Sequence, residues 1–366
     1  MKRLSGIAFR SRPLVGAVVL LAVAGFAANG DCFAQQRLIV DLPMRSELPA
    51  PPQSALQSAK GGAPDWLDSA IAWTDQLYFR GWRIQRHVKS NEFRLLDEDD
   101  AQQAAGTYDE CNAALDRIKQ EKHLEPMRGK VVILLHGLAA PRWSMKPLAA
   151  YLHKHGEYET IIVEYASLRS SIDDAAVGLA NIIKNLEGVE EINLVGHSMG
   201  NIVIRRYLAG DESPKLGWKP DRRIGRIVMI APPNHGSITA TQLSDTSTFK
   251  TVFGASGVQL GKKWKDLEPR LATPSGEFGI IAGGYGNPLG LNPFVPGDDD
   301  GRIGVEETRL GGASDSLVIG AVHEFIVFDP RVFEFTDRFL ASGYFVSADE
   351  KRAIPKESVA RRPQDR

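Results

Sequence analysis

A serine lies between two glycines in the segment INLVGHSMG, residues 192–200. The hydroxyl of Ser198 is a poor nucleophile by itself, and it attacks a carbonyl only when the backbone exposes it and a base accepts its proton. The apolar run INLV before the motif predicts a buried strand, and NIVIRRYLA after it predicts a helix. A serine on a tight turn between a strand and a helix is a candidate nucleophile for covalent catalysis.

The residues around Ser198 fit a strained turn. Side chains two positions on either side would collide where strand and helix cross, and Gly196 and Gly200 remove these collisions. His197 and Met199 complete the pattern G-x-S-x-G. The N–H group of Met199, at the start of the helix, would point at the space beside the hydroxyl, where its partial positive charge favours an oxyanion. The pattern alone is common by chance, so its position between strand and helix is the informative feature.

A second motif, HGL at residues 136–138, follows the strand-like run VVILL. With GHSMG it resembles the α/β-hydrolase superfamily, whose members end this strand in HG and use the backbone N–H of the next loop residue as an oxyanion donor. The resemblance implies Leu138 as this donor, paired with Met199. His136 itself could be read as a base, but a histidine in this position is usually structural.

A nucleophilic serine needs a base, and the superfamily order is serine, acid, histidine. Only His235 and His323 follow Ser198 in the chain. The few acids before His235 lie in or beside a polar connection that contains proline. His323 instead follows the strand-like LVIGAV and precedes the helical VFEFTDRFL, which would place it on a loop at the edge of the same sheet. His323 is therefore the predicted base.

The acid is expected in the loop PGDDDGRIGVEET, which follows the strand-like FGIIAGG. GHSMG, PPNHGS, a D-G-x-x-x-V loop and a late histidine resemble bacterial secreted lipases and esterases, whose acid is the aspartate just before the glycine of such a loop. The resemblance implies Asp300, with Asp298 and Asp299 as alternatives. Three carboxylates in a row could also form a solvated loop or a weak calcium site, but EF-hand spacing is absent. We expect no metal.

Apolar runs alternate with amphipathic helical stretches between residues 131 and 230; the runs are VVILL, TIIVEY, INLV and RIVMI. This alternation predicts class α/β, with a mostly parallel central sheet and helices on both faces. The resemblance makes this an α/β-hydrolase fold, with the catalytic domain at residues 126–346. Within it, residues 238–277 mix apolar residues and glycines, as either an active-site cap or a peripheral helix pair would.

The N-terminal residues have a different composition. Basic residues precede an apolar run at positions 14–28, and residues 1–34 resemble a secretory signal peptide cleaved after Ala34. The run is shorter than the about 20 residues of a spanning helix, so export to the periplasm or medium is predicted, with an uncleaved membrane anchor as the alternative. Residues 35–64 predict a disordered linker, and residues 347–366 a polar tail.

Residues 65–125 are predicted to form a helix and hairpin extension packed on the catalytic domain. In DWLDSAIAWTDQLYF a helix would place four apolar residues near one face: Trp66, Ile71, Trp73 and Leu77. GWRIQRHV and EFRLLD predict a two-stranded hairpin, and a further helix is expected at residues 109–123. Cleavage after Ala34 would leave Cys111 as the one cysteine, so no disulfide is expected.

The chain has 366 residues and a net charge of −1. Its body contains no basic block, so nucleic acid is not an expected partner. The expected function is hydrolysis of a small acyl ester or a lipid by a carboxylesterase or lipase using Ser198, His323 and Asp300, without a cofactor. Contact with a membrane or lipid interface is compatible with this function. The alternatives are an acyltransferase, an amide or thioester hydrolase with the same triad, and a non-catalytic binding module.

Overall fold

The computed structural model describes residues 72–213, 217–244 and 246–356. The predicted signal peptide and linker lie outside the described residues, as do residues 357–366 of the predicted polar tail. Within the described ranges, no helix combines the length and the apolar composition that crossing a membrane requires.

The N-terminal part of the described chain is a four-stranded antiparallel sheet followed by a helix. Its strands are paired in chain order: β1 (Trp73–Phe79), β2 (Trp82–His87), β3 (Phe93–Leu96) and β4 (Gln102–Gly106). Helix α1 (Tyr108–Glu121) begins after Thr107, whose side chain accepts a hydrogen bond from the N–H of Glu110. The predicted hairpin, here β2 and β3, and the helix predicted at residues 109–123 are confirmed.

The helix predicted around Trp73 and Leu77 is wrong for residues 73–79, which form strand β1. Trp66 and Ile71, also assigned to this helix, lie outside the described residues. Apolar residues at positions 73, 77 and 79 fit a period of two as well as a helical period, so spacing could not separate the two structures. Aromatic and β-branched residues favour a strand in this segment. Pairing with β2 then decides the structure, because it satisfies the backbone N–H and C=O groups along one edge of β1.

A six-stranded parallel sheet forms the larger part of the fold. Its strands are β5 (Gly129–Leu135), β6 (Glu159–Val163), β7 (Val189–His197), β8 (Ile224–Ile230), β9 (Phe278–Gly283) and β10 (Asp315–Ile319). They lie in the order β10-β9-β8-β7-β5-β6, and every neighbouring pair is parallel. The predicted mostly parallel sheet is confirmed. Its carboxyl edge is where the loops that carry the candidate site residues begin.

Helices cover both faces of this sheet. They are α2 (Lys146–His155), α3 (Ile172–Lys184), α4 (Met199–Leu208), α5 (Ile238–Leu243), α6 (Ser247–Leu260), α7 (Trp264–Leu267), α8 (Val305–Thr308) and α9 (Pro330–Ser342). Short 3₁₀ helices lie at Arg142–Met145, Glu268–Arg270 and Ile326–Phe328. Alternate side chains of β5 enter opposite cores, for example Ile133 in the core with α3 and α4, and Leu134 in the core with α2 and α9. Burial on both faces explains the unbroken apolar runs of the strands.

The segment predicted to be a cap or a helix pair contains α5, α6 and α7. Helix α6 is kinked at Gly254, which has a φ of +58°, and a β-carbon there would lie 2.0 Å from the carbonyl oxygen of Leu168. Only glycine fits this close approach. The Ser256 hydroxyl donates to the carbonyl of Ser170 at 2.7 Å, so α6 packs on the loop that precedes α3. A cap role for this segment stays a prediction.

Candidate active site

Ser198 lies on the turn between β7 and α4. Its φ of 51° and ψ of −122° are unusual for a residue with a side chain, and such a conformation costs on the order of 1–3 kcal/mol that the surroundings must offset. The surroundings hold it through hydrogen bonds: the N–H of Ser198 donates to Ile230 O at 2.9 Å, and Asn201 Nδ2 donates to Ser198 O at 3.1 Å. The strained turn is thereby fixed against strand β8.

The two glycines of the motif lie where any larger side chain would collide with neighbouring atoms, as predicted from the sequence. A β-carbon at Gly196 would lie 2.4 Å from Asn201 Oδ1, and one at Gly200 would lie 2.5 Å from Leu135 O. The second contact is with backbone, which cannot move aside as a flexible side chain could. Helix α4 can therefore cross β5 closely only with glycine at position 200.

The imidazole of His323 lies between Ser198 and Asp300. Its Nε2 is 2.9 Å from Ser198 Oγ, and its Nδ1 is 2.7 Å from Asp300 Oδ2. All three residues of this contact chain are buried: Ser198 is 8% exposed, His323 5% and Asp300 0%. Since a carboxylate only accepts, Nδ1 carries the proton and Nε2 is left to accept from the serine hydroxyl. The arrangement can accept the serine proton and stabilise the resulting imidazolium.

The three successive aspartates have different partners. Asp298 accepts from the N–H groups of Tyr285 and Gly286, both at 2.8 Å. Asp299 accepts from backbone N–H groups of its own loop, including that of Gly301 at 2.6 Å. Asp300 Oδ1 accepts from the N–H groups of Arg302 and Ile303, which leaves Oδ2 directed at His323. Only Asp300 among the three contacts the imidazole.

The predicted oxyanion donors flank Ser198. Met199 is the first residue of α4, and within the described chain neither its N–H nor that of Leu138 has a protein acceptor. The HGL loop approaches the serine closely, because a β-carbon at Gly137 would lie 3.1 Å from Ser198 Cβ. Two free N–H groups near the hydroxyl can stabilise a developing negative charge.

The other two histidines considered from sequence do not approach Ser198 Oγ. His136 is fully buried, with Nδ1 2.9 Å from Gly137 O. His235 Nδ1 lies 3.8 Å from Glu268 Oε1. Neither histidine has a hydrogen bond to the serine, so His323 remains the candidate base.

Two further side chains hold the site: sequence reasoning named His197 only as a residue of the G-x-S-x-G pattern, and it missed Asn201. His197 Nε2 donates to the backbone carbonyl of His323 at 3.0 Å, and Asn201 Nδ2 reaches both Ser198 O and Ile230 O. Asn201 lies on a helix that also buries Arg205 and Arg206, so its polarity alone did not single it out in the sequence. The partner of His197 is a backbone carbonyl distant in sequence, and no residue pattern indicates it.

We expect His197 to make folding stability depend on pH. Burial holds the pKa of His197 well below its usual value, and the neighbouring His323 lowers it further. Between this lowered pKa and about 6.5 the unfolded chain binds more protons, so stability falls with decreasing pH by up to about 1.4 kcal/mol per pH unit. Urea unfolding of wild type and His197→Gln across this range should show a shallower slope for the variant. The exposed His123 provides the control variant His123→Gln, and equal slopes for all three proteins would contradict the assignment.

A model of the alpha/beta hydrolase family matches residues 132–355, which is more than half of the chain. The chain belongs to this family. Among solved structures, the chain is similar to the mature lipase BlEst2 of Bacillus licheniformis, at 18% identity over 56% of this chain and 89% of that one, with a TM-score of 0.40.

The chain is also similar to two further solved structures. Staphylococcus hyicus lipase is 16% identical over 56% of this chain and 91% of its own, with a TM-score of 0.41. Phospholipase PlaB of Legionella pneumophila is 16% identical over 54% of this chain and 53% of its own, with a TM-score of 0.40. No curated protein matches the sequence.

Proposed function

We propose that the protein is a serine hydrolase that cleaves carboxylic acyl esters. The observation that carries the proposal is the buried contact chain from Ser198 Oγ through His323 to Asp300. Membership of the α/β-hydrolase family supports a hydrolase but leaves the nucleophile and the substrate open.

The reaction proceeds in two halves. His323 Nε2 takes the proton of Ser198 as Oγ attacks the ester carbonyl, and the N–H groups of Leu138 and Met199 stabilise the oxyanion. The imidazolium then protonates the departing alcohol, which leaves an acyl group on Ser198. Water activated by His323 attacks this acyl-enzyme and releases the carboxylic acid. Asp300 holds the imidazole in the reactive tautomer in both halves.

An apolar acyl group or a lipid suits the exposed residues near the site. Phe325, two residues after His323, is 62% exposed, and the loop between β9 and Asp298 exposes Leu289 by 81% and Phe294 by 67%. Exposed apolar side chains gain free energy when another apolar surface covers them. They support a small-molecule ester or lipid as substrate, and contact with a lipid interface during catalysis.

A panel of p-nitrophenyl esters of increasing acyl length, with matched anilide and thioester substrates, tests the proposal. We expect turnover of the esters, with the preferred length separating an esterase from a lipase. Turnover of the anilides or thioesters alone would contradict ester hydrolysis. Acyl transfer to an added alcohol in excess over water would indicate an acyltransferase.

We also propose that the protein is exported. The support is the basic and apolar composition of residues 1–34. Export with cleavage predicts a mature N-terminus at Gln35. Mass spectrometry of the intact protein from the native host measures this terminus directly, and an uncleaved chain in the membrane fraction would instead indicate an anchor.

A further inference from the structure

We propose that the antiparallel sheet β1–β4 is a positioning element of the active site, acting through Asp75, Glu164 and His136 on the HGL loop. The inference rests on the proposed function, because it assigns the sheet a role in holding the oxyanion donor Leu138. It assigns a role to residues 73–106. The family model begins at residue 132, and the sequence motifs also lie outside this segment.

Strand β1 contacts the segment that follows β6. The N–H of Asp75 donates to Glu164 O at 2.9 Å, and the N–H of Glu164 donates to Asp75 Oδ2 at 2.7 Å. Next to this pair, the N–H of Ala166 donates to Thr74 Oγ1 at 3.2 Å. Both backbone groups of Glu164 are therefore held by one residue of the N-terminal sheet.

Asp75 is itself fixed inside that sheet. Its Oδ1 accepts from Gln85 Nε2 at 2.8 Å and from Arg83 Nη1 at 3.3 Å, and all three residues are almost fully buried. Burial alone would lower the pKa of Arg83, but the negative charges of Asp75, Asp100 and Glu164 raise it. A buried carboxylate costs stability unless partners compensate it. This sheet supplies the compensation and directs the second oxygen of Asp75 at Glu164.

The next step joins Glu164 to His136. Glu164 Oε1 lies 3.5 Å from His136 Nε2, and both residues are buried. His136 Nδ1 faces the carbonyl of Gly137 at 2.9 Å, so this nitrogen must donate. Neither His136 Nε2 nor Glu164 Oε1 has a hydrogen-bond partner among the described residues, so these two buried polar atoms face each other. Tyr165 stacks on the imidazole with ring centroids 4.2 Å apart, and its hydroxyl donates to His136 O.

The last step reaches the nucleophile. Gly137 lies so close to the catalytic turn that an added β-carbon would be 3.1 Å from Ser198 Cβ and 3.2 Å from His197 Nδ1. Leu138 follows directly. A displacement of about 1 Å in a catalytic group can cost about 100-fold in rate. Whatever sets the position of His136 thus sets the oxyanion donor relative to the serine.

Three variants test the role of the sheet. Asp75→Ala removes the side chain that holds Glu164, and Glu164→Gln keeps the shape but removes the charge that faces His136. The matched control is Gln76→Ala, because Gln76 is also a buried residue of β1 and also contacts an element beside the parallel sheet, helix α3. Its Oε1 accepts from Asn181 Nδ2 on α3 at 2.8 Å, and its Nε2 donates to the backbone carbonyls of Thr74 and Asp75. Gln76→Ala therefore removes none of the contacts made by the Asp75 carboxylate or by the Glu164 side chain.

Two readouts separate positioning from general stability. The first is the split of kcat from KM for a p-nitrophenyl ester; the second is amide hydrogen exchange over residues 136–140, where Ala139 N–H donates to Ser167 Oγ and Ala140 N–H to Gly137 O. We expect Asp75→Ala and Glu164→Gln to lower kcat by about 10-fold or more with KM within about 2-fold, and to accelerate exchange in this segment. Gln76→Ala should lower Tm without either effect.

The inference is overturned if Asp75→Ala and Glu164→Gln match Gln76→Ala in exchange over residues 136–140. If Asp75→Ala does not fold, Glu164→Gln decides by the same comparison. Should wild type cleave no ester, the proposed function fails, but the exchange comparison still supports or overturns the positioning role.

Discussion

Replacing Ser198 with alanine is expected to lower kcat for ester hydrolysis by on the order of 10⁶-fold, because the variant cannot form the acyl-enzyme. The fold should be retained, since alanine brings the same β-carbon to the strained backbone and only the hydroxyl is lost. Initial rates with a p-nitrophenyl ester measure the loss, and thermal unfolding checks the fold.

Ser170 offers a control for the loss of a buried hydroxyl. It is 3% exposed, and among the described residues its Oγ has no hydrogen-bond partner. Ser170→Ala should therefore keep wild-type kcat. If Ser198→Ala instead retained a rate near that of Ser170→Ala, another residue would have to be the nucleophile.

Replacing Asp300 with asparagine is expected to lower kcat by about 10⁴-fold. The amide cannot stabilise the imidazolium, and an amide N–H directed at His323 Nδ1 would favour the tautomer whose Nε2 is protonated. That tautomer cannot accept the proton of Ser198. Because Asp300 Oδ2 lies 2.7 Å from Nδ1, the loss should fall on kcat with little change in KM.

Asp298→Asn is the matched control, since Asp298 lies in the same loop but caps Tyr285 and Gly286. Losing one of these hydrogen bonds should cost about 1–3 kcal/mol of local stability and leave the imidazole contact in place. We expect its kcat to stay within about 10-fold of wild type. The reverse order of the two variants would make Asp298 the acid.

Strands β5 to β9 of the larger sheet could be predicted because each contains an apolar run that is buried on both faces. Strand β1 could not, because Trp73 and Leu77 satisfy a helical and a strand period equally. Its partner Glu164 is distant in the sequence, so the spacing of residues within β1 could not indicate this contact.

The candidate site, too, could be predicted only in part from the sequence. The strand-like run before His323 and the polar connection before His235 favoured His323, and the structure places its imidazole beside Ser198. The choice among Asp298, Asp299 and Asp300 rested on resemblance, since three adjacent carboxylates differ only in where the folded loop points each of them. The contacts of Asp75 and of His197 depend on backbone groups of distant residues, whose positions no side-chain pattern encodes.

The central claim is that Ser198 is a nucleophile activated by His323. The most direct measurement is reaction of the folded protein with a fluorophosphonate, followed by mass-spectrometric mapping of the adduct, in wild type and in His323→Ala. We expect one adduct per chain, located on Ser198, and a much lower rate of labelling in His323→Ala than in wild type. An unlabelled wild-type protein, an adduct on a different serine, or labelling of Ser198 that is as fast without His323 would contradict it.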